Sequence, residues 1–469
     1  METPRTSPTF FILLLSLSSL SVFSVSFSPI DNYLVDCGSN VDAAVDNRLF
    51  ISDSSRANSH VLTSPSRSKS IQVRNQNPRL PQIYHSARVF DRPSKYVFKI
   101  RDRGTHMVRL HFYQLNSSKF VSDDAQFHVL VNEYVVLSNF SGCSNPSVKE
   151  FLIWVDTEKL VTTFVPAKKS KFAFVNAIEV ISAPKDLILD TAQFINGDKI
   201  ENFDGLTKQA LAVMYRVNVG GLKVTPFNDT LWRTWLPDDE FLKSSDGLER
   251  VYFSGRIRYQ SGGASREVGP DNVYNTARVV ASKNASILNL NMTWEFPVME
   301  GYKYLVRLHF CDIASISLGL LFFNVYVNGN LVYKDLDLSV LAGYSLASPF
   351  YADFVAEGDH SGVLSVSVGP SNRSLGYAVD GILNAVEIMR MNKSRGILDG
   401  ELCSGLILKS WPRGNIGVLV PFIAAVCLLL SLSVFMHRRV RNSVAWSKLP
   451  MDVPEFSSKL GKQQISVKL

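Results

Sequence analysis

Met107-Val-Arg-Leu-His-Phe112 and Leu305-Val-Arg-Leu-His-Phe310 are near copies of one another, 198 residues apart. In each, apolar residues such as Val108, Leu110 and Phe112 alternate with Arg109 and His111. A period of two over four to eight residues is the pattern of a half-buried strand, with one face in a core. The copies do not stand alone. Upstream, Tyr84-His-Ser-Ala-Arg-Val-Phe90 answers Tyr274-Asn-Thr-Ala-Arg-Val-Val280; downstream, Phe127-His-Val-Leu-Val-Asn132 answers Phe323-Asn-Val-Tyr-Val-Asn328. Later still, Val175-Asn-Ala-Ile-Glu-Val180 answers Leu383-Asn-Ala-Val-Glu-Ile388. The four offsets are 190, 198, 196 and 208 residues, in the same order along the chain. Offsets that drift slowly belong to a duplicated domain with variable loops, and the period is too long for a solenoid.

Around these strands the chain is rich in Phe (29) and Tyr (16), with 46% apolar and 19% charged residues. Such a composition supports packed cores, and aromatic and β-branched residues favour strands. Asn132-Glu and Asn328-Gly329 end strands at hairpin-like turns, and the Asn-Gly pair is the stronger signal. The expected fold is all-β: two antiparallel sandwiches or jelly rolls in tandem, plus one membrane helix. The first domain is expected over residues 32–182 and the second over 188–391, with Ala183-Pro184-Lys185-Asp186 as a linker and 52–82 as a long polar surface loop.

Two apolar stretches frame the domains. Phe10–Leu20 follows a short region holding Arg5 and precedes small residues, the layout of a secretory signal peptide over residues 1–26. Ile416–Met436 carries no charge over 21 residues, a reach of roughly 31 Å at helical rise, enough for a hydrocarbon core. His437-Arg-Arg-Val-Arg441 follows and marks the cytoplasmic side. The expected topology is single-pass type I, with residues 392–415 as a juxtamembrane stalk and 437–469 as a cytoplasmic tail. The net charge of +7 comes from that tail and from the first domain, where residues 28–183 hold 19 basic and 14 acidic side chains.

Cys37, Cys143, Cys311 and Cys403 fall in the exported part and allow three disulfide pairings, while Cys427 lies in the span. No Cys/His cluster points to a metal, and nothing points to a cofactor or to nucleic acid. Asn-x-Ser/Thr glycosylation sequons occur at Asn116, Asn139, Asn228, Asn284, Asn291, Asn372 and Asn392, all on the exported side. Trp232 and Trp235, beside Asp238 and Asp239, form a candidate platform for sugar rings, and Tyr84 and Tyr274 are further contact candidates. The basic run Arg92, Lys95, Lys99, Arg101 and Arg103 is a candidate site for an acidic polysaccharide. Arg109, Arg307, His111 and His309 recur at matching positions, which argues for a structural task shared by both repeats. Glu179 and Glu387 stand in different domains, an unsuitable arrangement for hydrolysis of one glycosidic bond. No nucleophile elbow, zinc-protease motif or phosphate loop is present, so a glycosidase is the weakest of the readings.

The phrases Tyr33-Leu-Val-Asp-Cys37-Gly38, Tyr84-His-Ser-Ala-Arg-Val-Phe90, Tyr304-Leu-Val-Arg-Leu-His-Phe310-Cys-Asp, Phe323-Asn-Val-Tyr-Val-Asn328-Gly and Asn384-Ala-Val-Glu-Ile388 occur in this order. Over residues 32–391 the chain resembles the malectin-like ectodomains of plant receptor kinases of the FERONIA and THESEUS type. The resemblance implies two tandem malectin-like β-sandwiches and a plasma-membrane receptor that monitors the cell wall and growth. The implied ligands are wall pectin and secreted cysteine-rich peptides, the latter taken together with a lipid-anchored co-receptor. The sugar contacts of animal malectin do not align residue by residue with this chain, so none is carried over. Those receptors continue into a serine/threonine kinase, whereas 33 residues follow the span here and no kinase motif occurs. The expectation is a kinase-less receptor-like protein that would need a partner kinase. The alternative is the cut-short sequence of a malectin-like receptor kinase.

Overall fold

The structure is a computed structural model. It describes residues 27–411, apart from 59, 64–67, 74–76, 116–123, 169–170, 198, 281–290, 359 and 374–378, and residues 416–443. The expected signal peptide and most of the expected tail lie outside the described residues. The chain divides into two compact units, one ending at Trp411 and one beginning at Pro412.

The first unit is built on one 13-stranded sheet that runs through both repeats. Seven neighbouring strands position everything that follows: β1 (Gly104–Phe112), β2 (Ser147–Val155), β3 (Ala177–Ser182), β4 (Leu211–Asn218), β5 (Lys303–Cys311), β6 (Pro349–Glu357) and β7 (Ala385–Met391). Their order across the sheet is β3-β1-β2-β4-β7-β5-β6, and each neighbouring pair is antiparallel. The repeated motif strands β1 and β5 each lie at the centre of their own half.

Period-two patterning assigns the two faces of this sheet different tasks. Val108, Leu110 and Phe112 of β1 point into a first core with Phe98, Phe127, Val129 and Phe164. A five-stranded sheet made of Tyr134–Phe140, Phe127–Val131, Lys159–Pro166, Ser94–Lys99 and Leu62–Thr63 closes that sandwich. Tyr304, Val306, Leu308 and Phe310 of β5 point into a second core with Trp294, Phe323, Val325 and Val366. Its other layer is a four-stranded sheet of Met292–Pro297, Val363–Pro370, Phe322–Val327 and Asn330–Asp337. The expected hairpins form at Asn132 and Asn328-Gly329, where Asn132 and Asn328 take positive φ, tolerable for Asn at a tight turn.

The opposite face belongs to both repeats at once. Met107, Leu152, Ile181, Leu211, Leu305, Val355 and Met389 form a third core on it, covered by Leu187, Ile188 and Leu206. Of residues 183–188, Ala183, Leu187 and Ile188 are buried on this apolar stripe while Lys185 is exposed, so the expected linker is packed down at both its ends. The 52–82 stretch also departs from a plain loop. It contributes strands Leu62–Thr63 and Ser68–Gln72, and buries Val61 and Leu62 in the first core.

Residues 392–411 are not a free stalk. Ile397 bridges to Val135, Leu398 is fully buried in the first core, and the Ser138 N–H donates to Asp399 at 2.8 Å. Asp399 also pairs with Arg390 at 3.2 Å, and Tyr302 donates to the Gly400 carbonyl at 3.1 Å. Helix α1 (Ser404–Ser410) then seats Ile407 among Leu130, Val135 and Val165. The segment leaves the second module and straps it to the first, because Leu398 and Ile407 carry enough apolar surface to be drawn into it. In the second unit, helix α2 (Ile416–Ser443) contains Pro421 and is long and apolar enough to cross a membrane over Ile423–Arg441.

Candidate ligand cleft between the modules

The charged side chains of the shared face meet in a line. Across β3, β1, β2, β4, β7, β5 and β6 stand Glu179, Arg109, Glu150, Arg216, Glu387, Arg307 and Asp353, alternating in sign. Arg109 pairs with Glu179 at 3.0 Å and with Glu150 at 2.8 Å. Arg216 pairs with Glu150 at 2.7 Å and with Glu387 at 2.8 Å. Arg307 forms a bidentate pair with Asp353, both bonds 2.7 Å. All seven side chains are buried or nearly so, those of Asp353 and Glu150 being 5% and 9% exposed.

A second motif is repeated and joins this ladder at Glu179 and Glu387. Tyr84 Oη lies 3.0 Å from His111 Nδ1, and His111 Nε2 lies 2.9 Å from Glu179. Tyr274 Oη lies 2.9 Å from His309 Nδ1, and His309 Nε2 lies 3.2 Å from Glu387. Burial raises Tyr84 and Tyr274 above the usual phenol range. Burial also lowers His309, despite the opposing pull of Glu387. Burial alone would push the three glutamates up, but the facing arginines outweigh it. They hold Glu150 down to about 2 and Glu179 and Glu387 well below the carboxylate range. The recurrence of Arg and His in the motif strands thus has the structural task expected of it. The Asn of each Asn-Ala-Ile/Val-Glu phrase is structural too. Asn176 accepts from Tyr113 N–H and donates to the Ser86 carbonyl; Asn384 accepts from Cys311 N–H and donates to the Thr276 carbonyl.

Part of the ladder is open to solvent at the joint between the modules. A cleft of about 480 Å³ is lined by Arg48, Tyr84, Arg109, His111, Glu150 and Glu179 of the first module, and by Val213, Met214, Arg216, Pro226, Trp232 and Leu236 of the second. Arg48 caps the floor by pairing with Glu179 at 2.6 Å, its guanidinium between the Phe50 and Trp232 rings at 5.3 and 5.2 Å. The rim is apolar and exposed at Val148, Met214 and Leu236, and Phe227 beyond it is 67% exposed.

The wall from the second module is a loop that Asp229 organises. Asp229 accepts from the Leu231 N–H at 2.7 Å, from Arg233 Nε at 3.0 Å and from the Trp235 indole at 2.8 Å. Arg109 then donates to the Leu231 carbonyl at 2.8 Å, fastening the loop over the first module. Trp232 is held at φ +56°, a strained conformation for a bulky residue and one that survives only where the surroundings fix it.

This geometry corrects several expected site residues. Trp235 is fully buried and cannot serve as a sugar platform, and Trp232 offers its face to Arg48. Asp238 and Asp239 do not attend the Trp pair. Asp238 is buried under Arg278, the Trp294 indole and the Gly220 N–H, and Asp239 pairs with Arg250 and Arg278. Tyr84 lines the cleft with its hydroxyl turned to His111, while Tyr274 is fully buried in the second module. Arg101 and Arg103 are exposed but engaged, the first with Asp31 and the Ile30 carbonyl, the second with Glu158 at 3.9 Å. Cys37, Cys143, Cys311 and Cys403 are free thiols here. Cys37 lies in the first core and Cys311 in a pocket of the second module, both raised by burial, so these two are inert small apolar residues. Asn139, Asn228, Asn291 and Asn372 are exposed, and Asn116 and Asn284 lie outside the described residues. Asn392 is committed to the fold. It accepts from Ala210 N–H at 2.8 Å and donates its amide to the Lys393 carbonyl at 3.0 Å. Sequence reasoning missed Asp229, which organises its own loop, and Arg48 and Glu150, which reach the cleft only through the tertiary fold.

Chemically, the cleft floor is an array of paired charges. Its two ladder carboxylates are both kept ionised by arginines, so neither can act as the protonated acid that glycoside hydrolysis requires. Among the described residues no group of three or more His, Cys, Asp or Glu could hold a metal.

Comparison with known proteins places this architecture. A family model described as the malectin-like domain matches residues 35–391. The probable receptor-like protein kinase At5g24010 of Arabidopsis thaliana is 43% identical over 94% of this chain and 53% of its own length. The chain spans about half the length of the curated receptor-like kinases it matches. The crystal structure of the ANX1 ectodomain from Arabidopsis thaliana superposes with a TM-score of 0.70 at 27% identity, over 79% of this chain and 98% of that one. The structure of the plant peptide RALF23 in complex with FER and LLG2 superposes with a TM-score of 0.68 at 32% identity, over 80% of this chain and 99% of that one. The chain belongs to the malectin-like family, and it is similar to receptor-like protein kinases such as THESEUS 1 of Arabidopsis thaliana.

Proposed function

We propose that residues 27–411 are the ligand-recognising ectodomain of a single-pass plasma-membrane receptor-like protein of plant wall and growth sensing, and that the cleft between its modules takes a secreted cysteine-rich peptide presented with a co-receptor. The observation that carries this reading is the make-up of the cleft: a rigid, internally neutralised ionic floor beneath an exposed aliphatic rim of Val148, Met214 and Leu236. Side chains of a folded peptide can desolvate such a rim, and the floor is already ordered, so binding costs little rearrangement. The complex of FER with RALF23 and LLG2 supports a peptide and a co-receptor as the partner classes. Kinase signalling would come from a kinase segment of a longer polypeptide or from a partner kinase. Wall polysaccharide, pectin included, is the second reading; the candidate Arg101 and Arg103 already have acidic partners, which weakens it.

Calorimetric titration of the secreted ectodomain with RALF23, with and without LLG2, and in parallel with oligogalacturonate, tests the choice. Saturable peptide binding that Met214→Glu weakens at least about tenfold supports the cleft, since a buried unpaired charge at an interface centre is strongly unfavourable. Binding of oligogalacturonate alone would select the polysaccharide reading.

A further inference from the structure

Asn228-Asp229-Thr230 sets a glycosylation sequon in the loop that forms the second module's wall of the cleft. The fold treats its three residues differently. Asp229 is buried and gathers the Leu231 N–H, Arg233 and the Trp235 indole. Thr230 donates its hydroxyl to the Arg266 carbonyl at 3.2 Å. Asn228 ends a single 3₁₀ turn, Pro226–Asn228, and its backbone N–H donates to the Thr225 carbonyl at 2.9 Å. Its side chain is exposed, and its amide makes no hydrogen bond among the described residues. Asn392, by contrast, commits its amide to the fold. A sugar on Asn228 would displace no contact of the fold, and a fixed turn would carry it. The other exposed sequons among the described residues, Asn139, Asn291 and Asn372, stand on or beside strands of the two outer sheets.

The same loop carries apolar surface that the fold leaves uncovered. Leu222 is 80% exposed and Phe227 67%, and Leu236, at the far end of the loop, is exposed where it lines the cleft. Pro226 lines the cleft as well. Asn228 stands two residues from Pro226, a span of no more than about 7 Å. The first sugars on Asn228 therefore begin beside the mouth of the cleft. Contiguous apolar surface is a liability in a soluble domain unless something covers it. An N-linked glycan is bulky and solubilising, and the apolar faces of its rings suit an aromatic surface such as Phe227. On the inner side, Asp229 and the Arg109 bond to the Leu231 carbonyl hold the loop down. The outer side, with Phe227 and the mouth, is where a glycan can lie. We infer that an N-linked glycan on Asn228 lies over Phe227 and overhangs the mouth of the cleft, so that a ligand must displace it to reach Met214 and Leu236. The inference rests on the reading of residues 27–411 as an exported ectodomain with a peptide-binding cleft, and it gives that cleft a gate.

The test uses the full chain, expressed in plant cells and purified in detergent. Glycopeptide mass spectrometry reads occupancy at each sequon. Hydroxyl-radical footprinting reads Phe227, Met214 and Leu236, with the exposed Tyr344 as internal reference. Asn228 should be occupied. Asn228→Gln should raise oxidation of Phe227 and Met214 about twofold, on loss of so bulky a cover, and leave Tyr344 unchanged. Trimming the glycans of the unsubstituted chain to single sugars with an endoglycosidase should do the same, whereas Asn139→Gln should not. With LLG2 present, RALF23 should associate faster with Asn228→Gln than with the unsubstituted chain. An unoccupied Asn228 beside other occupied sequons overturns the inference, and so does oxidation that Asn228→Gln leaves unchanged. Equal RALF23 association rates overturn the gate. A chain with no glycan at any sequon removes the export reading, and this inference with it. RALF23 that binds neither form counts against the peptide reading of the cleft, and occupancy and footprint then decide this inference by themselves.

Discussion

Glu150 of β2 and Arg216 of β4 form a 2.7 Å ion pair at the joint where the first module meets the second. Each is also tied into its own half, Glu150 to Arg109 and Arg216 to Glu387. The pair therefore makes two duplicated halves into one electrostatic line, and it forms the floor of the cleft. Its value lies in geometry more than in stability, because burying paired charges gains little over an apolar pair of the same shape.

Breaking that pair should be far worse than removing it. Arg216→Met leaves Glu150 and Glu387 each short of a partner in a buried setting, and should destabilise the ectodomain by about 3–5 kcal/mol. Glu150→Gln should act in the same direction. The double variant should recover part of the loss, an interaction energy of about 1–3 kcal/mol in a double-mutant cycle by urea unfolding. Strictly additive losses would show that the two residues do not act as a joint.

Gly38 and Gly220 form a hidden part of the duplication. Both have positive φ, and a Cβ at either would fall 2.2 Å from a backbone carbonyl oxygen, Ala87 or Ala277. Both donate their N–H to a buried carboxylate, Asp53 or Asp238, which in turn holds Arg88 or Arg278. Gly38→Ala and Gly220→Ala should therefore each lower stability by about 3 kcal/mol or block secretion, since neither the conformation nor the space admits a side chain. Secretion yield and unfolding midpoints check this; a neutral outcome at either site would mean the two places are not equivalent.

Asp36 gives the ectodomain a pH dependence. Burial pushes its carboxyl up to about 7, the hydrogen bond from Ser86 opposes this, and nearby Asp53 adds to it. Its Oδ2 is buried without a partner, which suits a protonated group. In the unfolded chain the same group loses its proton near pH 4. Between pH 4 and about 7 the folded form thus binds more protons, and stability falls as pH rises by up to about 1.4 kcal/mol per unit. The Asp36 contribution is complete below pH 4 and gone above 7. Asp36→Asn should flatten this part of the profile and raise stability at pH 7, measured by urea unfolding from pH 4.5 to 7.5. An unchanged slope would show that Asp36 stays ionised throughout.

The sequence made the sandwiches legible because the motif strands alternate cleanly, so Val108 and Val306 could be assigned to cores and Asn132 and Asn328 to turns. It did not make the merging of the modules legible. Met107, Leu305 and Met389 share a face only because the two halves of the sheet are hydrogen-bonded edge to edge, and no local pattern records that. In the sequence the strap looks like a stalk, because Leu398 and Ile407 are single apolar residues in a polar stretch, too few for a periodicity. Trp232 and Trp235 stand out by type, but whether a Trp faces ligand or core depends on the turn that Asp229 organises around them and on Arg48, which arrives from a distant strand. The cleft floor is half visible: Arg109, His111 and Glu179 recur in the motif phrases, while Glu150 and Arg216 have no counterparts there.

Photo-crosslinking maps the peptide directly. RALF23 carrying a photoreactive residue, bound to the ectodomain with LLG2, is irradiated and the adducts are located by mass spectrometry. Adducts on Val148, Met214, Trp232 and Leu236 are the expected result. Adducts confined to the exposed loop residues Ile316 and Tyr344 of the second module, with the cleft rim unlabelled, would contradict the assignment of the cleft as the ligand site.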